Sequence, residues 1–206
     1  MNIAIIPARG GSKRIPEKNI KSFLGKPIIA YSIEAAIDSG LFDKVIVSTD
    51  SDAIARVAKE LGAEVPFIRP DSLSGDYVAT APVISHALNW MKKRSQDYRY
   101  ACCIYATAPF VESDYLRQGF DNLKNYDCAT SYSVTKFSFP IFRATKINKN
   151  GALEMFWPEH ELTRSQDLPE AYHDAGQFCW VDVEKFMNDE RLYAVDSRPV
   201  ILPRHR

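Results

Sequence analysis

The residues most able to do chemistry lie in a basic, glycine-containing loop near the N-terminus. The stretch PARGGSKRIPEKN, residues 7–19, follows a short apolar run and combines cations with two adjacent glycines. Glycines let backbone N–H groups approach an anion closely, and arginine pairs with phosphate oxygens in a bidentate fashion. The spacing matches neither GxxxxGK[ST] nor GxGxxG, which disfavours a P-loop NTPase or a dinucleotide enzyme. The pattern favours a triphosphate site, with a solvated basic turn as the alternative.

Overall composition excludes several classes of protein. Among 206 residues, 26 basic side chains balance 26 acidic ones, so nothing indicates binding to nucleic acid or to a membrane surface. No apolar run approaches the length of a membrane span, and we expect a cytoplasmic protein. The cysteines lack CxxC spacing and lie in apolar runs, which predicts buried free thiols. They are Cys102, Cys103, Cys128 and Cys179.

The alternation of apolar runs and helical patterns predicts an α/β fold. Short runs rich in branched residues, typical of buried parallel strands, occur at 2–7, 44–49, 64–68 and 100–106. Helical patterns lie between and after them, at 27–40, 51–62, 78–94 and 112–123. We therefore predict one domain over 1–206, with three α/β/α layers and a mostly parallel sheet. The basic loop would follow the first strand, at the edge of the sheet where such folds bind ligands.

The regular alternation stops at about residue 136. Residues 136–172 carry aromatics, prolines and an Asn-Gly turn, which favours a protruding hairpin arm. A strand that runs into a short helix is predicted afterwards, at 176–186. An aromatic excursion of this kind is often an oligomer contact, so we predict a homodimer that uses the arm.

Several segments together resemble one enzyme family. They read PARGGSKRIPEKNI, GKPIIAYSI, VSTDS, FIRPDSLSGD and RSQDLPEAYHDAGQFCW, and the matches run in order from residue 3 to about 205. These segments are similar to the cytidylyltransferases that activate nonulosonic (sialic-type) acids as CMP-sugars. Within that family, YHDAGQFCW resembles the enzymes for pseudaminic acid more than those for neuraminate or legionaminate, which show Arg followed by Pro-Asn-Gly here. The resemblance implies a Rossmann-like nucleotidyltransferase fold.

The resemblance also implies site residues. Arg9 and Lys18 would be the catalytic cations that bind the triphosphate, and Arg69 and Thr80 would lie around the cytosine. The implied nucleotide site comprises Ala8, Arg9, Gly10, Gly11, Ser12, Lys18, Asn19, Arg69, Thr80 and Thr107. The implied sugar site comprises Tyr105, Arg164, Gln166, His173, Asp174 and Gln177. For Arg164 and Gln166 a salt bridge at the rim is the alternative. In YATAPF, Thr107 and Pro109 keep the family pattern, whereas Tyr105 and Ala108 depart from it.

The implied reaction is attack by the anomeric hydroxyl of the sugar acid on the α-phosphorus of CTP, assisted by Mg²⁺. Relatives take metal carboxylates from an Asp-x-Asp-Thr element, and this sequence ends at PRHR just before the expected place of that element. Asp174 is the metal candidate, with a structural turn as its alternative. Asp50 and Asp52 flank a predicted helix start, which favours capping. Other nonulosonic acids as substrates, or an inactive nucleotide-binding protein, remain alternative hypotheses.

Overall fold

A computed structural model describes all 206 residues, which form five α-helices and ten strands. The strands are β1 (Asn2–Pro7), β2 (Ser22–Phe23), β3 (Lys26–Pro27), β4 (Lys44–Ser48), β5 (Tyr100–Ile104), β6 (Thr130–Lys136), β7 (Thr145–Ile147), β8 (Leu153–Met155), β9 (Tyr172–Asp182) and β10 (Arg198–Leu202). The helices are α1 (Ile28–Ser39), α2 (Asp52–Glu60), α3 (Thr80–Lys92), α4 (Ser113–Asn125) and α5 (Val183–Asp189).

Six strands form the central sheet in the order β10-β6-β9-β5-β1-β4. Strand β9 is antiparallel to both of its neighbours, β5 and β6, while all other neighbouring pairs are parallel. The carboxyl ends of β1, β4 and β5 therefore lie at one edge, together with the beginning of β9. The predicted α/β fold with a mostly parallel sheet is confirmed.

Side chains that alternate along each strand fill two cores, one on each face of the sheet. Ala4 and Ile6 of β1 pack with residues of α1, α2 and α4. Ile3 and Ile5 of the same strand pack with residues of α3 and α5. Because successive side chains of a strand point to opposite faces, a fully apolar strand serves both cores at once. The prediction of three layers is confirmed.

The predicted strand at 64–68 is wrong. This segment forms only two isolated bridges, Ile46 of β4 with Glu64, and Thr49 just after β4 with Ile68. Pro66 lies between the two bridges, and proline has no backbone N–H to continue a ladder of hydrogen bonds. The chain nevertheless runs beside β4 and delivers Arg69 to the edge of the sheet, where its N–H donates to the Thr49 carbonyl at 2.7 Å.

Two strands of the sheet, β6 and β10, were not predicted. Strand β6 reads TSYSVTK and looks polar, yet Thr130, Ser131 and Ser133 are fully buried. Their hydroxyls all find partners: Ser133 donates to the Phe178 carbonyl of β9 at 3.3 Å, Ser131 accepts from the Asn122 side chain of α4, and Thr130 pairs with the Ser197 hydroxyl. Buried hydroxyl groups that find such partners cost little, so hydropathy alone does not reveal the strand. Strand β9 begins at Tyr172, four residues earlier than the predicted start at 176.

The segment between β6 and β9 contains a hairpin. Strands β7 and β8 pair antiparallel, and Gly151 takes a left-handed φ of 78° in the turn between them. Glycine adopts this conformation without strain, as the Asn-Gly signal requires.

All four cysteines are free and buried, as predicted from their surroundings. Burial raises the pKa of Cys103 to about 12 and raises the pKa of Cys102 and Cys179 as well. Thiols of this kind stay protonated and act as apolar packing groups. None of the helices combines the length and the apolar character that crossing a membrane requires.

Gly119 lets α4 lie directly against β9. A Cβ atom at this position would stand 2.7 Å from Cδ1 of Trp180 and 3.0 Å from Cε2 of Phe178, both fully buried. We predict that Gly119→Ala lowers the free energy of unfolding by about 1–2 kcal/mol, because overpacking outweighs the gain in helix propensity. Urea denaturation tests this. Gln118→Ala, an exposed change on the same helix, should shift stability by no more than about 0.5 kcal/mol. Equal stability of Gly119→Ala and the parent chain would show that α4 can move away from the sheet.

Candidate active site

A cleft of about 230 Å³ opens beyond the carboxyl ends of β1 and β5. Helix α1, which leads from β1 to β4, packs on one face of the sheet, and α3, which leads to β5, packs on the other. Strand β1 is therefore the point where connections change faces, which is where open α/β sheets bind ligands. A second cleft of about 500 Å³ adjoins the first and shares Arg9, Lys18 and Asp76 with it.

The basic loop is attached to the end of β4 by short hydrogen bonds. The Gly10 N–H donates to Oδ1 of Asp50 at 2.8 Å, and the Ala8 N–H donates to the Ser48 carbonyl at 2.9 Å. A Cβ atom on Gly10 would lie 2.9 Å from Cβ of Ser51, so a larger residue would push the loop away from α2. Asp50 thus anchors the loop, while Ser51 caps α2 by accepting from the Ile54 N–H. The predicted capping role of Asp50 and Asp52 is wrong; Asp52 is the first residue of the helix.

Loop residues predicted to bind the nucleotide come together around the two clefts. Arg9, Lys18 and Asn19 line the first cleft, and Ser12 lines the second with Lys13 and Arg14. Asn19 is buried, and its side-chain amide donates to the Arg9 carbonyl at 2.9 Å. Gly11 has open space where a side chain would be, so its backbone is accessible. Asn19 therefore supports the backbone that carries Arg9.

Arg69 is a buried cation with unused hydrogen-bond donors. It is only 4% exposed and lines the first cleft, and its Nε and Nη2 groups have no hydrogen-bond partner. Burial lowers its pKa, Asp50 raises it and Arg9 lowers it further. The Asp50 carboxylate lies 3.7 Å from Nη2, which is an ion pair without a hydrogen bond. Because buried donors without acceptors are costly, an acceptor on a bound ligand is the natural partner for this guanidinium.

The opposite wall of the first cleft comes from the residues just after β5 and from the start of α3. Tyr105 and Thr107 line the cleft, as does Thr80 at the start of α3. The Tyr105 N–H donates to the Gln177 carbonyl at 2.9 Å, which joins this wall to β9. Burial raises the pKa of Tyr105 to about 12, so its phenol stays neutral and can donate a hydrogen bond at physiological pH.

Asp174 is linked to this wall by a residue that the sequence analysis missed. The Tyr193 hydroxyl donates to Oδ2 of Asp174 at 2.8 Å and lies beside the Tyr105 hydroxyl. The other carboxylate oxygen of Asp174 accepts from the Gly176 N–H at 2.8 Å, so this residue also organises a turn. Tyr193 follows α5 in a loop without any recognisable motif, so only folding reveals its position.

The remaining residues predicted for the sugar site are scattered. His173 packs its ring on Phe137, with centroids 4.8 Å apart. Gln177 is buried, and its Oε1 has no partner. Arg164 pairs with Asp167 at 3.6 Å, and Gln166 lines a separate cleft of about 260 Å³ in the arm. Within one chain the fold thus places neither Arg164 nor Gln166 at the cleft between β1 and β5.

Three carboxylates near this edge of the sheet are possible ligands for Mg²⁺. Asp50 faces Arg69, and Asp76 pairs with Arg9 and Lys13, so cations already neutralise both. Asp174 is exposed and has no cationic partner. No group of three or more potential metal ligands is present. Magnesium commonly uses only one or two carboxylates besides substrate phosphates and water, and Asp174 fits that limited requirement.

Comparison with known proteins assigns this architecture to a family. A family model described as cytidylyltransferase matches residues 3–199. The chain belongs to the cytidylyltransferase family. It is 43% identical to a pseudaminic acid cytidylyltransferase of Campylobacter jejuni serotype O:2, over 99% of this chain and 88% of that protein. It is 38% identical to a CMP-N,N'-diacetyllegionaminic acid synthase of Legionella pneumophila, over 97% of this chain and 86% of that one.

A solved synthetase structure has the same fold. A CMP:2-keto-3-deoxy-manno-octonic acid synthetase complexed with CTP superposes with a TM-score of 0.68 and covers 98% of this chain and 89% of its own. Sequence identity to it is only 14%, so this similarity concerns the fold. The family resemblance inferred from the sequence is confirmed.

Replacement of Arg69 by Met tests whether its unused donors serve a ligand. We predict that Arg69→Met weakens CTP binding about tenfold or more, since charge-assisted hydrogen bonds contribute about 1.5–3 kcal/mol. Without CTP its free energy of unfolding should stay within about 1 kcal/mol of the parent, because the change also removes unpartnered buried donors. Isothermal titration calorimetry and urea denaturation measure the two effects.

The matched control is Arg56→Met, which removes an exposed arginine from α2 and should leave CTP affinity unchanged. If Arg69→Met binds CTP as tightly as the parent, Arg69 does not contact the nucleotide.

Proposed function

We propose that this protein transfers CMP from CTP to the anomeric hydroxyl of a nonulosonic acid, most specifically pseudaminic acid, and releases pyrophosphate. The observation that carries this proposal is the buried Arg69, with unused donors, beside a four-cation loop at the ligand-binding edge of the sheet. The family match and the 43% identity to a pseudaminic acid cytidylyltransferase support the same reaction and acceptor.

The nucleotide would lie along the basic loop. Arg69 and Thr80 are proposed to contact the cytosine side, while Arg9 and Lys18 bind the triphosphate. The open backbone around Gly11 leaves room for phosphate oxygens to approach main-chain N–H groups. Charge builds up on the leaving pyrophosphate during the reaction, and cations held in place by the fold stabilise it without reorganisation. No covalent step on the protein is required, because orientation and charge neutralisation suffice.

The sugar acid would lie against Tyr105, on the side of the cleft that faces β9. A neutral Tyr105 donates a hydrogen bond to an oxygen of the substrate. His173, Asp174 and Gln177 occupy the strand next to Tyr105 and are proposed to line the acceptor side. We further propose that Asp174 provides a carboxylate for Mg²⁺, which when bound neutralises phosphate charge. Free thiols are typical of a reducing compartment, which supports a cytoplasmic location.

Pyrophosphate release from CTP and Mg²⁺ tests the reaction and the acceptor. Pseudaminic, legionaminic and N-acetylneuraminic acids would be supplied separately, and we expect release with pseudaminic acid at the highest kcat/KM. Arg9→Ala should lower that rate about ten- to hundredfold through loss of a charge-assisted phosphate contact. The exposed Arg56→Ala should retain the full rate. CTP binding without turnover on any of the acids would favour an inactive nucleotide-binding protein instead.

We also propose that two chains pair through the arm. The arm exposes large apolar side chains: Ile147 and Leu153 in the hairpin are each 74% exposed, and Leu162 beyond it is 94% exposed. Apolar side chains grouped on a protruding arm are typical of surfaces covered in an oligomer. Pairing of this kind supports a sugar site in which Arg164 and Gln166 of the arm approach the cleft of a second chain.

The double change Ile147→Asp and Leu153→Asp tests pairing. We predict a dimer for the parent protein and a monomer for the double variant in analytical ultracentrifugation, because charges would replace the apolar contact. Val195→Asp is the control, since Val195 is fully exposed but lies outside the arm. If the parent protein sediments as a monomer, the proposed dimer does not form. If the double variant remains dimeric, the contact between chains lies elsewhere.

A further inference from the structure

An internal carboxylate bridges two cations of the basic loop. Nη1 of Arg9 and Nζ of Lys13 each lie 2.6 Å from a different oxygen of Asp76. Asp76 belongs to the loop that leads from the helical turn at Asp71–Leu73 to α3. It is the only acidic residue that lines either of the two adjoining clefts. One acidic side chain therefore faces an otherwise basic surface.

The position of this carboxylate coincides with the region where an anionic ligand would bind. The two carboxylate oxygens of Asp76 each pair with a different cation. Arg and Lys bind the oxygens of a phosphate group in the same arrangement. Lys13 and Arg9 both lower the pKa of Asp76, so the carboxylate is charged at neutral pH. A triphosphate that engages Arg9 and Lys13 must replace Asp76 or share its cations.

The loop that carries Asp76 can release it at low cost. Tyr77 next to it is fully exposed, so nothing packs on the outer side of the loop at that residue. Backbone hydrogen bonds within the loop are short-range, as in the contact between the Val78 N–H and the Gly75 carbonyl at 3.3 Å. Ion pairs with partly exposed partners are individually weak. Displacement therefore requires no rearrangement of the sheet or of α3.

We propose that Asp76 is a displaceable internal anion that competes with the triphosphate of CTP, and with the pyrophosphate product, for Arg9 and Lys13. This inference rests on the proposed binding of CTP along the basic loop. In the free enzyme the ion pairs of Asp76 with Arg9 and Lys13 keep the basic loop ordered. After transfer, Asp76 lowers the affinity for pyrophosphate, because its carboxylate can pair again with Arg9 and Lys13. Cytidine, which has no phosphate, experiences no such competition.

Binding measurements on Asp76→Asn test this competition. Calorimetry would compare CTP, inorganic pyrophosphate and cytidine at low ionic strength, with and without Mg²⁺. We expect Asp76→Asn to bind CTP and pyrophosphate about three- to tenfold more tightly and cytidine with unchanged affinity. In the pyrophosphate-release assay, inhibition by added pyrophosphate should become stronger by the same factor. Both gains should shrink at about 0.5 M salt, because exposed charges are screened there.

Two further variants separate displacement from a general change in charge. Asp71→Asn removes a negative charge from the helical turn just before this loop, at a residue that pairs with neither Arg9 nor Lys13, and it should bind pyrophosphate like the parent. Asp76→Glu keeps the charge and should also stay close to the parent. This second variant covers the case in which Asp76→Asn disturbs the loop, because it tests whether charge at this position is sufficient for weak pyrophosphate binding.

Defined outcomes overturn the proposal. Unchanged or weaker pyrophosphate binding by Asp76→Asn, or an equal gain in Asp71→Asn, would show that Asp76 does not compete at the cations. Weaker CTP binding by Asp76→Asn only when Mg²⁺ is present would identify Asp76 as a ligand of the ion instead. If the parent protein binds neither CTP nor pyrophosphate, the proposed function itself fails, which is a result distinct from a missing effect of Asp76→Asn.

Discussion

The Asp50 carboxylate at the end of β4 is the constraint on which the site depends. It accepts the Gly10 N–H at 2.8 Å and lies 3.7 Å from the buried guanidinium of Arg69. One anion thereby holds the basic loop after β1 and the cation that arrives along β4 at the same edge of the sheet. Without it, a buried positive charge and a loop with four cations would repel each other. The close approach of Gly10 to Ser51 shows how tightly this arrangement is packed.

A second constraint is the reversed direction of β9. Because this strand is antiparallel to its neighbours β5 and β6, its first residues lie at the edge where β1 and β5 end. Residues far apart in the sequence, such as Arg9 and Asp174, consequently belong to the same edge. Gly119 contributes to this arrangement on one face of the sheet, because its lack of a side chain allows α4 to lie close to Trp180 of β9. Packing on one face of the sheet thus supports the chemistry at its edge.

Charge balance within the site is incomplete in a way that suits an anionic ligand. Asp76 neutralises Arg9 and Lys13 from a loop with few contacts, while Arg69 keeps two donors without partners in a buried position. A ligand that supplies several negative oxygens compensates for both at once. The free energy for ordering this region comes from packing elsewhere, in two cores that consist almost entirely of aliphatic and aromatic side chains.

The sequence by itself determined the elements whose signals are local. Four signals depend on neighbouring residues only and could therefore be predicted from the sequence. They are the apolar run of β1, the cation-rich loop after it, the periodic patterns of the helices and the Asn-Gly turn of the arm. Together with the family motifs, they identified the fold class, and they predicted loop residues that the structure brings together around the two clefts. Tertiary structure alone decided β6, because its buried hydroxyls find partners in α4, in β9 and in the loop before β10. It also decided β10, which joins the sheet by pairing with β6. It alone decided the roles of Asp50, Asp76 and Tyr193 as well, since each acts on a residue at least 19 positions away. Hydrogen bonds and ion pairs over such separations form only when the sheet brings strand ends together, and no local pattern encodes them.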